Sequence, residues 1–157
     1  MRPLGRRSCR TLGAIRQRSP QTNAVAINQP EIQASARKFF DEFVEAFRSF
    51  NGNTIAERYL VPYLAFHIRG SAEVLLSSAD TATYFQRIVD AYHATGCRSC
   101  RYNGLEVVSL GQECVVATVS WELLTEDLSV LNAWRESYNL CLVKDRFFAF
   151  TSTDHLA

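Results

Sequence analysis

Residues 112–143, QECVVATVSWELLTEDLSVLNAWRESYNLCLV, constrain the fold more than any other part of the chain. The run from Cys114 to Leu124 is rich in Val, Thr and Trp, which suit a pleated surface. It alternates, with Val115, Ala117, Val119, Trp121 and Leu123 on one side and Val116, Thr118, Ser120 and Glu122 on the other. A polar turn at Glu126-Asp127-Leu128-Ser129 leads into a second alternating run. There Trp134, Tyr138, Leu140 and Leu142 share a face, opposite Arg135, Ser137 and Asn139. A four-residue loop pairs Trp121 with Trp134, Ala117 with Tyr138 and Ser120 with Arg135. A slip by one residue would mix apolar and polar groups, so the hydrophobic pattern selects this register.

Glu136 breaks the pattern, because it falls on the apolar face between Trp134 and Tyr138. A carboxylate there is solvated at a rim, paired with a cation, or held in a pocket. In a pocket, desolvation raises its pKa toward the range of a general acid or base.

The remaining elements follow from periodicity and end signals. A helix starts near Pro30 and carries an apolar stripe of Ile32, Ala36, Phe39, Phe43, Phe47 and Phe50. Gly52 is the expected left-handed stop. Thr54 can cap a short second helix, with Glu57 at the capping-box position and Pro62 closing it. Residues 63–69 alternate as a strand that places Tyr63 and His67 on one side; residues 72–76 can pair back. His67 either lines a cavity, where it could shuttle protons near neutral pH, or is a satisfied structural histidine. A third helix starts at Ser78 or Asp80, buries Tyr84, Phe85, Ile88, Val89 and Tyr92, turns Gln86 to water, and stops at Gly96. A strand over residues 100–110 has a kink signal at Asn103-Gly104. The last strand covers residues 147–153, and the Asp154-His155 pair after it is a frayed end or the cap of a cavity mouth.

The 157 residues suit one domain. Six arginines and no acid lie in the first 30 residues, leaving 11 basic against 16 acidic groups beyond them. Residues 1–29 therefore read as a disordered or targeting-like basic tail, and residues 30–157 as the domain. An acidic body argues against nucleic acid as a partner, and no apolar run approaches a membrane span. Five cysteines without an apolar leader imply reduced thiols and a cytoplasmic setting, although the basic tail leaves organelle targeting open. Cys97 and Cys100 form a lone C-x-x-C between a helix end and a strand, too few ligands for zinc. No metal and no cofactor is expected.

Helices first and antiparallel strands last argue an α+β fold with helices on one face of a sheet. In this order the chain resembles the nuclear-transport-factor-2-like superfamily, which includes SnoaL-like polyketide cyclases, ketosteroid isomerase and scytalone dehydratase. The resemblance rests on Phe39-Phe40-Asp41-Glu42-Phe43, Ile55-Ala56-Glu57-Arg58-Tyr59, Tyr84-Phe85, the segments 117–121 and 134–138, and the closing strand. It implies a cone, with three N-terminal helices packed on a strongly curved, mostly antiparallel sheet, enclosing an apolar pocket. It also implies a homodimer through the outer sheet face. The first helix has no tyrosine of the kind ketosteroid isomerase uses there; Glu136 is the nearest equivalent of the cyclases' strand acid.

Two function classes follow. One is a cofactor-free lyase or isomerase acting on a small hydrophobic molecule. In it Glu136 is the acid/base, His67 its catalytic companion, and Tyr59, Tyr63, Trp121, Trp134 and Tyr138 bind the ligand. The other is a non-catalytic ligand-binding or dimerisation module, in which Thr118, Ser120, Glu122, Arg135, Ser137 and Asn139 line a self-complementary interface.

Overall fold

In the computed structural model, residues 29–155 are described; all but the last residue of the expected basic tail lie outside them. Helix α1 (Gln29–Arg48) buries Ile32, Ala36, Phe39, Phe43 and Phe47 as its periodicity predicts. Phe40 and Ala46 widen the stripe. Phe40 is fully buried, with its ring 5.3 Å from Tyr102 and 5.4 Å from Tyr138, so this helix sits deep on the sheet.

The α1–α2 corner departs from expectation in two ways. Phe50, with φ 48°, makes the left-handed turn, and Gly52 opens helix α2 (Gly52–Ala56). The cap is Asn51 rather than Thr54; its Oδ1 accepts the backbone N–H of Asn53 at 2.9 Å. Gly52 is needed for closeness rather than handedness. A Cβ there would overlap the Ala82 carbonyl oxygen and lie 2.6 Å from the Gln86 nitrogen, so α2 packs backbone to backbone on the next helix. Gln86, expected in water, is half-buried at this joint. Its Oε1 accepts from Gly52 N–H at 2.8 Å and its Nε2 donates to Phe50 C=O at 3.2 Å.

Strand β1 (Tyr59–Phe66) begins before Pro62 instead of after it. Pro62 has no N–H to give a ladder, and the β1 pairing skips from Tyr59 to Leu64 around it. Strand β2 (Ala72–Leu75) follows, and then helix α3 (Ser78–Ala94), started by a capping box between Ser77 and Asp80. The third helix thus comes after the β1–β2 hairpin, in the order read from the sequence, so two helices precede the first strand and three precede the four long strands.

Strands β3 (Ser99–Ser109), β4 (Cys114–Leu124), β5 (Val130–Val143) and β6 (Arg146–Asp154) complete a curved, mixed sheet in the order β2-β1-β6-β5-β4-β3. Only β1 and β6 run parallel. The hairpin register is the expected one, with Trp121 opposite Trp134, Ala117 opposite Tyr138 and Ser120 opposite Arg135. A shift between Asn103 and Glu106, with Gly104 at φ 63°, supplies the kink. The core lies between the inner sheet face and helices α1 and α3, and it takes in Cys97 and Cys100. Cys114 and Cys141 are half-buried cross-strand partners on the opposite face instead of core residues, because they share the parity of Thr118 and Ser137. Among the described residues no helix is long and apolar enough to cross a membrane.

The α2–α3 joint yields a test. Gly52→Ala should lower stability in urea unfolding by about 3 kcal/mol or more, because backbone must move. Gly96→Ala, at φ 95° with open space around it, should cost only about 1 kcal/mol. A Gly52 variant milder than the Gly96 variant would mean the helices are not in backbone contact.

Candidate functional site

Alternation on β4 and β5 turns Trp121, Trp134, Glu136 and Tyr138 toward the helices. Strand β1 adds Tyr59 and Tyr63, helix α1 adds Phe43 and Phe47, and helix α3 adds Tyr84, Phe85 and Tyr92. Together they enclose a cavity of about 660 Å³. That is within the range of small-molecule sites, roughly 300–1,000 Å³. Every site residue expected from the sequence, Tyr59, Tyr63, His67, Trp121, Trp134, Glu136 and Tyr138, lines this one cavity.

Glu136 is the centre of the polar contacts. Tyr138 O–H donates to Glu136 Oε2 at 2.7 Å, and Trp134 Nε1–H donates to the same oxygen at 3.2 Å. Trp121 Nε1–H donates to the Tyr138 hydroxyl at 2.9 Å, which orients the phenol toward the carboxylate. Ser152 also hydrogen-bonds the carboxyl, and its Oγ is 2.7 Å from the Tyr63 hydroxyl. Tyr59 makes no such link in this chain of bonds; its ring packs 4.6 Å from those of Tyr63 and Phe85.

Burial dominates the electrostatics. It raises the Glu136 pKa, with a further push from the charge of Asp154. The bonds from Tyr138, Ser152 and Trp134 oppose it, and the outcome is about 7 against 4.5 for a free glutamate. Burial and the Glu136 charge together hold Tyr59, Tyr63 and Tyr138 far above the ordinary phenol range, so all three stay neutral. Tyr92 is pushed up to about 12 in the same way, by burial first and Glu136 second.

His67 lies one residue past the end of β1. Its Nδ1 is 3.3 Å from Asp154 Oδ2, and its Nε2 is 3.4 Å from the Tyr84 hydroxyl and 3.5 Å from Glu73 Oε1. His67 is not hydrogen-bonded to Glu136; Asp154, the cross-strand partner of Glu136, stands between them. His155 also borders the cavity, and its Nε2 is 2.8 Å from Ser137 Oγ.

The residues that sequence reading left out are Ser152 and Tyr84; Asp154, read as a frayed end or the cap of a cavity mouth, lines the cavity. On β6, simple alternation from Phe147 and Ala149 points Thr151 inward. The register instead shifts between the Asn139 and Leu140 pairings, and Phe150 is the extra residue. That bulge returns Ser152 and Asp154 to the inner face. The Asp154-His155 pair was the only hint. Tyr84 is in the predicted apolar stripe of α3, and its stripe position gives no sign that the hydroxyl reaches a histidine.

The C-x-x-C carries no site geometry of its own. Burial raises the thiol pKa of both Cys97 and Cys100 and keeps them protonated.

Comparison with known proteins agrees with the fold. Residues 31–155 match the family described as NTF2-like protein (DUF6841). No curated protein matches. Among solved structures, the chain is similar to Aln2 from a Streptomyces species at TM-score 0.67 and 10% identity, over 82% of this chain and 93% of that one. It is similar to an NTF2-like protein with a cystatin-like fold from Novosphingobium aromaticivorans, with TM-score 0.64, 11% identity, and 81% and 82% of the two chains covered. It is also similar to an NTF-2 like protein of unknown function from Shewanella oneidensis, with TM-score 0.63, 10% identity, and 78% and 98% covered.

The raised Glu136 pKa has a stability signature. Between pH 4.5 and about 7 the folded chain holds a proton on Glu136 that the unfolded chain releases. This contribution is full below pH 4.5 and is lost as pH rises through about 7. Its size is about 3 kcal/mol, from about 1.36 kcal/mol per pKa unit. Gln at this position has no charge to bury. The stability of Glu136→Gln relative to wild type should therefore rise by about 3 kcal/mol between pH 4 and pH 8.5, read from urea midpoints at each pH. Parallel curves would show that Glu136 ionises normally.

Proposed function

The chain belongs to the NTF2-like family DUF6841, and on that premise we propose that its cavity binds a small, largely apolar molecule and exchanges a proton with it through Glu136. One observation carries this reading: a buried carboxyl, poised near pH 7, faces an aromatic-lined cavity large enough for a ligand. A base with that pKa is half available at neutral pH and is a useful acid when protonated. The reaction class is a cofactor-free lyase or isomerase step. Glu136 removes a proton from a carbon beside a carbonyl, and the electron pair moves onto that oxygen. The same carboxyl then returns the proton at another carbon, or a leaving group departs. Trp121 and Tyr138 position the carboxyl, Trp134 and Tyr59 form walls, and His67 at the mouth is the second proton carrier, held by Asp154.

The test is hydrogen–deuterium exchange at the carbon next to the carbonyl in a panel of cyclic ketones. Wild-type protein should accelerate exchange in at least one of them, with a rate that follows an apparent pKa of about 7. Glu136→Gln should lower that rate by on the order of 100-fold or more. Equal rates in both proteins would remove Glu136 from the chemistry.

The outer sheet face favours a second, compatible role. Thr118 and Ser137 are 2.7 Å apart there, half-buried, with His155 beside them, while Phe66, Val74, Val108 and Val143 are exposed large apolar residues. The proposal for this face is a homodimer contact. Thr118→Arg should convert a dimer to a monomer in sedimentation and leave the cavity's ligands unaffected. An unchanged mass would place any self-association elsewhere.

A further inference from the structure

Glu136 makes none of the ion pairs found among the described residues. The basic side chains that border the cavity are engaged with other groups. Arg135 Nη2 reaches Glu106 Oε1 at 2.7 Å. His67 sits between Asp154 and Glu73. His155 is hydrogen-bonded to Ser137. The one charged group in register with Glu136 on the neighbouring strand is a second carboxylate, Asp154.

The walls are aromatic. Tyr59, Tyr63, Tyr84, Phe85, Tyr92 and Trp134 bring aromatic rings to the cavity, and the face of an aromatic ring carries negative potential that attracts cations. A buried acid with no ion-pair partner among the described residues, lined by aromatic rings and beside another acid, is complementary to positive charge. An anion would meet repulsion from both carboxylates. A neutral ligand would fill the space and leave the field unused.

We propose that the cavity's ligand has an apolar body ending in a cationic nitrogen, an ammonium or iminium group, with Glu136 as its counter-ion and the aromatic walls as its cation–π partners. This rests on the reading of the cavity as a ligand site and specifies what that site selects. When Glu136 is protonated in the free protein, binding replaces its proton with the ligand's charge. An ammonium plus a Glu136 carboxylic acid becomes an ammonium carboxylate pair, and the proton leaves to buffer.

The groups facing Glu136 leave this exchange to the carboxyl. Strand β1 offers Tyr59 and Tyr63, strand β5 offers Tyr138, and helix α3 offers Tyr84 and Tyr92; all five phenols are shifted to high pKa and stay neutral. Strand β6 offers Asp154, which is bonded to His67. Helix α1 presents only Phe43 and Phe47 to the cavity.

Isothermal titration with three probes of one shape decides the matter: 1-naphthylmethylammonium, neutral 1-naphthylmethanol and anionic 1-naphthylacetate. At pH 8 the ammonium should bind at least tenfold more tightly than the alcohol, and the carboxylate most weakly. At pH 6, titrations in two buffers of different ionisation enthalpy should show proton release with the ammonium and none with the alcohol. At pH 5, where wild-type Glu136 is itself neutral, the ammonium's advantage should shrink; this arm needs no variant. Glu136→Gln should lose the preference for the ammonium over the alcohol. An alcohol that binds at pH 8 as tightly as the ammonium overturns the cation assignment and leaves the cavity a ligand site. Failure of all three probes to bind at millimolar concentration overturns the ligand-site reading and this inference with it.

Discussion

The contact on which the rest depends is the pairing of β4 with β5. It sets which residues face inward for 11 residues of one strand and 14 of the other. Because side chains alternate, this single register decides where Glu136 goes. Val119 is its cross-strand partner, and Trp121 and Tyr138 are near enough to bond in sequence toward it. A strand slip would expose the tryptophans and Tyr138 and would free the carboxyl to water. The apolar surface that drives the hairpin together therefore also forces a charge-bearing group out of solvent.

This coupling explains how an unfavourable group persists. Burying a carboxylate without a cation is costly, and two donors on one oxygen recover only part of that. The pKa near 7 measures the remainder. Removing it by substitution would make the chain more stable at alkaline pH. Such a trade, stability given up at one residue inside an otherwise well-packed core, is what the proposed role of Glu136 in binding and proton exchange requires. The surrounding aromatics serve both roles. Phe40 and Phe43 pack on Trp121 at ring distances of 6.0 and 5.1 Å, and these contacts fix the indole whose N–H orients Tyr138.

Much of this was legible from residues alone, for reasons that separate local from distant effects. The hairpin register, the inward Glu136, the α1 stripe and the Asn103-Gly104 kink all follow from period-2 or period-3.6 patterning, which the chain states locally. The corner at residues 50–54 was misread because Gly52 resembles a helix stop. Its real constraint is the approach of α3, a contact across 30 or more residues. Ser152 was missed on the inner face for a related reason. Phe148, Ala149, Phe150 and Thr151 give no sign of which residue is the extra one, since the bulge is chosen by pairing with β5. Tyr84 illustrates a third limit: its ring belongs to the apolar stripe while its hydroxyl belongs to the His67 cluster, and a pattern of apolar positions records only the ring.

The solved structures that share this backbone at 10 to 11% identity sharpen where function can reside. Their sequences differ from this one at roughly nine positions in ten, yet helices and sheet superpose. The fold is therefore specified by the spacing of apolar groups, which many sequences satisfy. Whatever is particular to this chain must come from polar atoms set into the apolar lining, because these are the positions the spacing rule would fill differently. Here those atoms lie on one continuous surface, from Glu136 and Ser152 inside to Asp154 and His67 at the mouth. Among the described residues the interior carboxyl has no ion-pair partner, and the outer carboxylate is hydrogen-bonded to an imidazole. On the cation proposal, a ligand entering past Asp154 and His67 would meet its counter-ion, Glu136, only at full depth, which favours charge at the far end of an apolar body.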